Sequence, residues 1–197
     1  MDWFSLAFIL FLIMDPFGNI TSYLSLVKEY SQKRKRAILV REMLIALGAM
    51  TLFSFIGEYL FHILEISEKT IYIGSGIILF LVALKILFPT EDSPRAHLPE
   101  GEPFIVPLAI PLIAGPSLLT TIMLFSHIEP SVLLMLTAIF SAWLISTLIL
   151  YFAPAIQKII GSNGLMALER LMGMILILIA IQRFLEGVHL FIKSCHV

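Results

Sequence analysis

The chain has 197 residues, of which 59% are hydrophobic and only 14% are charged, with a formal net charge of −1 and a mean hydropathy of +0.98. A soluble domain is typically about half apolar and about a quarter charged, so the composition excludes this class. The small net charge argues against nucleic acid as a partner. A single cysteine and no Cys/His pair at ligand spacing predict no disulfide, no metal and no cofactor.

Six apolar blocks follow one another along the chain, and each is long enough to cross roughly 30 Å of hydrocarbon. They cover residues 3–27, 37–64, 71–88, 104–125, 132–153 and 165–192. Lipid-exposed backbone has no water to satisfy its N–H and C=O groups, so the blocks must be helical. Their apolar runs are continuous rather than alternating, which excludes a closed barrel. We predict an all-α membrane protein with six transmembrane helices.

Lysine and arginine residues are distributed unevenly between the two sides of the predicted helices. With the N-terminus outside, ten of the 13 Lys and Arg residues fall on the cytoplasmic side, six of them between Lys28 and Arg41. Cytoplasmic loops of membrane proteins carry an excess of these residues. The sequence therefore predicts that both termini lie on the outer side of the membrane.

Two pairs of segments resemble each other at nearly the same spacing, which indicates an internal repeat. Residues 11–26 align with 111–125 at an offset of 100, and residues 76–85 align with 173–182 at an offset of 97. Because a unit of three helices is odd, its second copy enters the membrane from the opposite side, as in many secondary transporters. We predict one transmembrane domain of two inverted repeats, residues 1–88 and 104–197, joined by a loop at 89–103. A symmetric scaffold is the alternative.

The first and fourth blocks each contain a helix-breaking motif near the centre. Asp15-Pro16 lies about 18 Å from the start of the first block, and Gly115-Pro116 lies about 15 Å from the start of the fourth. Proline breaks the preceding helix but suits the first turn of a new one. Helices 1 and 4 are therefore predicted to be broken near the midplane, with a half-helix beginning at each proline.

Together the two breaks predict a central binding site. In an inverted repeat the two new half-helices come from opposite sides, so their partially positive N-termini face one region. Such N-termini favour an anionic group, and we therefore predict a small solute that bears a carboxylate. Its predicted polar contacts are Asn19, Thr21, Ser117, Thr120 and Thr121.

Asp15 has two interpretations that the sequence leaves open. It caps the half-helix that begins at Pro16, or it is the proton or cation site, because charges at this depth are costly and usually functional. Gln182 and Arg183, near the outer end of helix 6, either serve an outer gate or lie at the interface. Signatures of enzymes and of ATP-driven proteins are missing, so the protein is not predicted to be an enzyme.

Two further groups of residues are interpreted as structural. The charged pairs Arg41-Glu42 and Glu169-Arg170 lie near the cytoplasmic ends of helices 2 and 6, where they are expected to reach the interface or to snorkel. Gly74, Gly76 and Gly173 are expected to permit close packing of helices.

The strings MDPFGN from Met14 and PLAIPLIAGPSLLTT from Pro107, together with VREMLIALG and ALERLMGMILILIA, resemble the MarC family of bacterial inner-membrane proteins. The resemblance covers nearly the whole chain. It implies six helices in two inverted triplets. Some archaeal-type members of the family are neutral amino acid transporters that move glycine and alanine with protons. By motif position, the expected central residues are Asp15, Pro16, Gly18, Asn19, Gly115, Pro116, Thr120 and Thr121. Many relatives have Gly or Thr in place of Ser117, which adds a hydroxyl near the expected carboxylate.

The leading hypothesis is a secondary transporter of small neutral amino acids such as glycine or alanine, coupled to protons. Its partners are then a zwitterionic solute, protons and the lipid bilayer. The alternatives are an exporter of another small metabolite or drug, and a membrane scaffold that transports nothing. A scaffold predicts no polar cavity at the two breaks. No oligomeric state is predicted.

Overall fold

The computed structural model describes residues 2–63, 67–88, 113–129 and 131–195. These residues are almost entirely helical and contain no strand, which confirms the predicted all-α class. In chain order the helices are α1 (Trp3–Met14), α2 (Pro16–Leu26), α3 (Gln32–Ile63), α4 (Glu68–Leu87), α5 (Pro116–Ile128), α6 (Val132–Tyr151) and α7 (Ala153–Cys195). The predicted loop at 89–103 and the first part of the fourth block, residues 104–112, lie outside the described residues.

Five segments of the described chain are long and apolar enough to cross a membrane. They are Trp3–Leu26, which contains α1 and α2, Gln32–Gly57, Lys69–Leu87, Val132–Tyr151 and Ala153–Ser194. With 13 residues, α5 is shorter. Within the described residues the apolar blocks are thus helical as predicted, but some limits differ. The helix of the second block, α3, begins at Gln32, before the predicted start of that block at residue 37, because Lys and Arg are themselves good helix formers.

Side chains bind free backbone N–H groups at several helix starts, including those of α1 and α6. The Ser5 hydroxyl and N–H donate to the Asp2 carboxylate at 2.8 and 3.3 Å, and these bonds hold the pKa of Asp2 below its ordinary value. The Ser131 hydroxyl accepts from the Leu134 N–H at 3.3 Å. These N-caps satisfy donors that the first helical turn leaves free.

The last helix, α7, changes direction at Gly161. This residue has a φ of 72° and a ψ of 170°, a conformation that only glycine adopts readily. It separates residues 153–160 from the long apolar part of α7 that contains the predicted sixth block.

Helices α4 and α7 pack against each other through glycine residues. A Cβ on Gly76 would lie 2.6 Å from the Phe184 backbone nitrogen, and a Cβ on Gly173 would lie 3.0 Å from the Leu87 side chain. Close packing at these two glycines is therefore confirmed. The same prediction for Gly74 is wrong, because a Cβ on Gly74 would meet no atom within 4 Å.

The centre of α6 is hydrogen-bonded to two other helices at one level. The Trp143 indole Nε1–H donates to the Met43 carbonyl of α3 at 2.7 Å, and the Ser146 hydroxyl donates to the Met14 sulfur at the end of α1 at 3.7 Å. Trp143 and Ser146 are three residues apart, which is less than one helical turn, or about 4.5 Å along α6. Met43 and Met14 therefore lie at similar depths in the bundle.

Replacing Trp143 with phenylalanine is expected to lower the free energy of unfolding by about 1–2 kcal/mol, because the indole bond to the Met43 carbonyl is lost. Trp3→Phe is the matched control, since Trp3 is 44% exposed and the chain has only these two tryptophans. Thermal unfolding in detergent, followed by circular dichroism, compares the two variants. Equal midpoints would contradict a stabilising role for the indole bond.

Candidate functional site

The chain leaves the helical conformation at Asp15, between α1 and α2. Asp15 has a φ of 43° and a ψ of 62°, and its N–H donates to the carbonyls of Phe11 and Leu12 at 3.2 Å, which closes α1. Its carboxylate Oδ1 accepts from the Gly18 N–H at 3.1 Å and caps α2, whose first residue is Pro16. Asp and Asn tolerate this left-handed conformation better than other residues with a side chain. Asp15 therefore ends one helix and starts the next.

Asn19 and Thr21 follow on the first turns of α2. The Asn19 amide Nδ2 donates to the Met14 carbonyl at 2.8 Å, and the side chain is buried. It binds a carbonyl that α1 leaves free at its end. The Thr21 hydroxyl donates to the Gly18 carbonyl at 3.3 Å, and Thr21 is exposed. Asn19 thus holds the junction together, while the Thr21 hydroxyl retains lone pairs for a ligand.

A cavity of about 220 Å³ opens beside the first turns of α2 and is called the α2 cavity. Its lining combines hydroxyl groups, an acid and a base with apolar side chains: Phe17, Gly18, Thr21, Ile86, Ser162, Leu165, Met166, Glu169 and Arg170. A Cβ on Gly18 would lie 2.7 Å from the Glu169 carboxyl. The absence of a side chain at Gly18 therefore lets this carboxyl approach the start of α2.

The start of α5 differs from that of α2. Its N-cap, Gly115, is in an extended conformation and makes no side-chain cap, so nothing from that residue occupies the N–H groups of the first turn. The hydroxyls of Thr120 and Thr121 donate to the carbonyls of Pro116 and Ser117, both at 2.8 Å. Thr121 is fully buried, whereas Thr120 is exposed.

A second cavity, called the α5 cavity, has a volume of about 210 Å³. It lies between the start of α5 and the second half of α4, and it contains one basic side chain. Its lining residues are Ile78, Leu81, Val82, Lys85, Pro116, Ser117 and Thr120. The two cavities share no lining residue in the part of the chain that is described.

The ten residues predicted for the central site fall into two groups. Five line one of the two cavities: Gly18, Thr21, Pro116, Ser117 and Thr120. The others line neither and belong to the helix junctions: Asp15, Pro16, Asn19, Gly115 and Thr121. Sequence reasoning did not place Lys85, Glu169 and Arg170 in the site. For Glu169 and Arg170 the available signal was their charge beside an apolar block, which predicted only an interfacial pair.

The pair Arg41-Glu42 is present, but it is not the interfacial pair that was expected. Arg41 Nε donates to Glu42 Oε1 at 2.8 Å, and the side chains are 33% and 0% exposed. The second oxygen, Oε2, is buried and has no hydrogen-bond partner among the described residues. The expectation that Glu42 reaches water is wrong, because the face of α3 that carries it is covered by other helices.

Arg183 is buried between three helices. Its guanidinium carbon lies 5.6 Å from the centre of the Tyr72 ring of α4 and 5.7 Å from that of the Phe125 ring of α5. Its Nη1 donates to Glu186 at 3.2 Å. Cation–π contacts of this kind help to hold a buried guanidinium. With 9% of its surface exposed, Arg183 is buried.

The described residues contain no group of three or more His, Cys, Asp or Glu side chains that could hold a metal ion. The polar groups that line the two cavities are the first turns of helices, hydroxyl groups and charged side chains. Such groups bind small polar solutes by hydrogen bonds and ion pairs.

The apolar helical spans define a multi-pass integral membrane protein. A family model described as "MarC family integral membrane protein" matches residues 1–192. The chain belongs to the MarC family.

Relatives match over nearly their whole length. The chain is 46% identical over 192 residues to the UPF0056 inner membrane protein YhgN of Escherichia coli strain K12. The aligned residues cover 96% of this chain and 98% of that protein. It is 45% identical over 188 residues to a UPF0056 membrane protein of Buchnera aphidicola from Baizongia pistaciae, covering 93% and 94%. A relative in Chlamydia pneumoniae, also named a UPF0056 membrane protein, is 32% identical over 188 residues, covering 93% and 92%. No solved structure matches the chain.

Proposed function

We propose that the protein is a secondary transporter of small neutral amino acids, such as glycine or alanine, coupled to protons. The observation that carries the proposal is the different set of charged groups at the two helix starts. Carboxyl groups predominate at the start of α2, where Arg170 also lines the cavity, and a lysine lines the cavity at the start of α5. Asp15 and Glu169 place two carboxyl groups at the start of α2. The start of α5 has no side-chain cap, and Lys85 lines its cavity. A zwitterion complements both, since its ammonium group suits the α2 start and its carboxylate suits the α5 start.

The size of the cavities also favours a small solute. Volumes of about 220 and 210 Å³ lie below the range of about 300–1,000 Å³ that is typical of pockets for drug-sized ligands. The hydroxyls of Thr21, Ser162, Ser117 and Thr120 add polar contacts. We propose that the two cavities join during the transport cycle.

The proposal includes an inverted repeat, and paired contacts support it. The offset of 97 relates Gly76 to Gly173 and Phe184 to Leu87. The contact of Gly76 with Phe184 therefore has a counterpart in the contact of Gly173 with Leu87. The packing of helices is consistent with the same relation between the two halves. α5, from the second half, packs on α3 of the first half, and α1 with α2, from the first half, packs on α6 of the second.

Three further features belong to the proposal. Asp15 lies 12 residues after Trp3, so the interruption falls near the midplane of a core roughly 30 Å thick. The lysine and arginine distribution supports the part of the proposal that has both termini in the periplasm of a bacterial cell. The polar cavities at the helix starts count against a scaffold that transports nothing. No observation favours export of another metabolite or drug.

Uptake by the purified protein in liposomes tests the function. The assay uses a panel of radiolabelled amino acids and an imposed pH gradient, with protein-free liposomes as the control. Accumulation of glycine or alanine that collapses when a protonophore is added is the expected result. If no amino acid accumulates above the protein-free level, the proposal is wrong.

Replacing Lys85 with glutamine is expected to weaken binding of the solute about tenfold to a hundredfold, because a charge-assisted hydrogen bond contributes about 1.5–3 kcal/mol. Glutamine is the residue at the related position 182, so the helix should tolerate it. Lys28→Gln is the matched control, since Lys28 is exposed in the segment between α2 and α3. Isothermal calorimetry with glycine measures both affinities. An unchanged affinity in Lys85→Gln would remove Lys85 from the site.

A further inference from the structure

Glu42 combines complete burial with an unsatisfied oxygen. Its side chain is 0% exposed, Oε1 accepts from Arg41 Nε at 2.8 Å, and Oε2 has no hydrogen-bond partner within the described ranges. Leaving a buried charged oxygen without a partner costs several kcal/mol, unless the group takes up a proton or is otherwise compensated. We infer that Glu42, rather than Asp15, carries the proton that is coupled to transport, an inference that rests on the proposed function.

Glu42 lies at the depth of the junction between α1 and α2. Its neighbour Met43 is bonded to Trp143, and Met14, at the end of α1, is bonded to Ser146. Because these two residues of α6 are separated by about 4.5 Å along the helix, the carboxyl of Glu42 is within about one turn of the level of Asp15. A change of charge at Glu42 thus occurs at the depth where α2 begins.

The helices packed against α3 bring few other titratable groups. α6 carries only Tyr151, which lies under the Arg36 guanidinium at 5.0 Å, and α5 carries only His127, in its last turn. The Tyr23 hydroxyl of α2 donates to the Lys35 carbonyl at 3.3 Å.

On α3 itself, Arg41 binds Glu42 directly. Lys33, Arg34, Lys35 and Arg36 lie in the first turns of the helix, at least 9 Å from Glu42 along its axis at about 1.5 Å per residue. We therefore take Arg41 as the cation that responds to a change at Glu42.

Arg41 gives the buried carboxyl a connection to water. Its side chain is one-third exposed, so water reaches the guanidinium whose Nε binds Glu42. A proton taken from water on one side of the membrane neutralises the carboxylate and weakens the bond to Arg41, which remains charged and hydrated. When the carboxyl faces the other side, the proton returns to water and the ion pair forms again. Each cycle carries one proton, and therefore one positive charge, across the membrane with the solute.

Asp15 has a different task. Its carboxylate accepts the Gly18 N–H and caps α2, and its backbone conformation connects two helices. Because the bonds of Asp15 hold the junction between α1 and α2, they are poorly suited to change in every cycle. The bond between Glu42 and Arg41 lies within α3, so it can break without separating two helices.

Infrared difference spectroscopy of the whole protein in liposomes tests the proton site without any solute. A band of protonated carboxyl should appear as the pH falls, disappear in Glu42→Gln and shift in frequency in Glu42→Asp. Glu29→Gln, which removes an exposed carboxyl between α2 and α3, is the matched control and should retain the band. A titrating buried carboxyl band that is unchanged in both Glu42 variants would overturn the inference.

Transport in liposomes, with the membrane potential clamped at zero, separates coupling from binding. One pH unit can drive about tenfold accumulation when one proton moves with each solute molecule. Glu42→Gln should exchange labelled for unlabelled glycine across the membrane yet lose this tenfold accumulation. Accumulation at the wild-type level in Glu42→Gln, or accumulation driven by a sodium gradient alone, would contradict the proton role.

The two experiments fail in different ways. If the wild-type protein moves no amino acid but its carboxyl band disappears in Glu42→Gln, the proposed solute is wrong and Glu42 remains a proton site. If glycine accumulates with protons and the band persists in Glu42→Gln, the transport function stands and the inference about Glu42 is wrong.

Discussion

Replacing Gly76 with alanine is expected to lower the free energy of unfolding by about 2–3 kcal/mol, and to lower the unfolding midpoint by about 5–10 °C. The added methyl group would lie 2.6 Å from the backbone nitrogen of Phe184 and 2.9 Å from the carbonyl oxygen of Ala180. These are backbone atoms of a helix and cannot rotate away, so α4 and α7 must separate. The separation removes van der Waals contacts along the most extensive helix pair in the described chain.

Gly74→Ala is the matched control for this substitution. It changes the same residue type on the same helix, only two positions away, where a methyl group meets no atom within 4 Å. Alanine favours helix over glycine by about 1 kcal/mol, so Gly74→Ala should be neutral or slightly stabilising. Thermal unfolding of both variants in detergent measures the difference. Equal midpoints would mean that the α4–α7 contact adjusts without cost.

Replacing Asp15 with alanine is expected to destabilise the protein by about 2–4 kcal/mol. Alanine removes the N-cap bond to the Gly18 N–H, which costs about 1–2 kcal/mol. A left-handed conformation such as that of Asp15 costs alanine about 1–2 kcal/mol more. Chemical or thermal unfolding in detergent gives the change in stability.

Asp15→Asn separates the cap from the charge. Asparagine accepts the same N–H bond and tolerates the same backbone conformation, so its stability should lie within about 1 kcal/mol of the wild type. If Glu42 carries the proton, Asp15→Asn should also retain accumulation driven by a pH gradient. Loss of this accumulation in a folded Asp15→Asn protein would return the proton role to Asp15.

The class of the protein and the positions of its apolar helices could be predicted from the sequence. A membrane requires each crossing segment to be apolar and helical, so hydropathy alone predicts a helix that begins at Val132, where α6 begins. It is harder to predict which face of a helix packs against a neighbouring helix. Gly74 and Gly76 are two residues apart, which turns them by about 200° around the helix axis, so only one of them can face α7.

The burial of Glu42 and the charged lining of the cavities could not be predicted. A single sequence gives the depth of a residue along its helix, but it does not say which neighbouring helix covers that residue. Arg41 and Glu42 are adjacent and point in different directions, so one is partly exposed and the other is fully buried. Glu169 was assigned to the interface for the same reason, although α2 begins beside it.

The hydrogen bond between Trp143 and Met43 gives the protein an intrinsic optical reporter. Trp3 is the only other tryptophan, so Trp3→Phe leaves one tryptophan, Trp143 on α6. Its indole binds the carbonyl of Met43, the residue after Glu42, at a depth similar to that of the start of α2. Indole emission responds to changes in nearby charge and hydrogen bonding. The quantum yield of this variant should therefore change when Glu42 binds a proton, which allows stopped-flow measurement of that step without an attached dye.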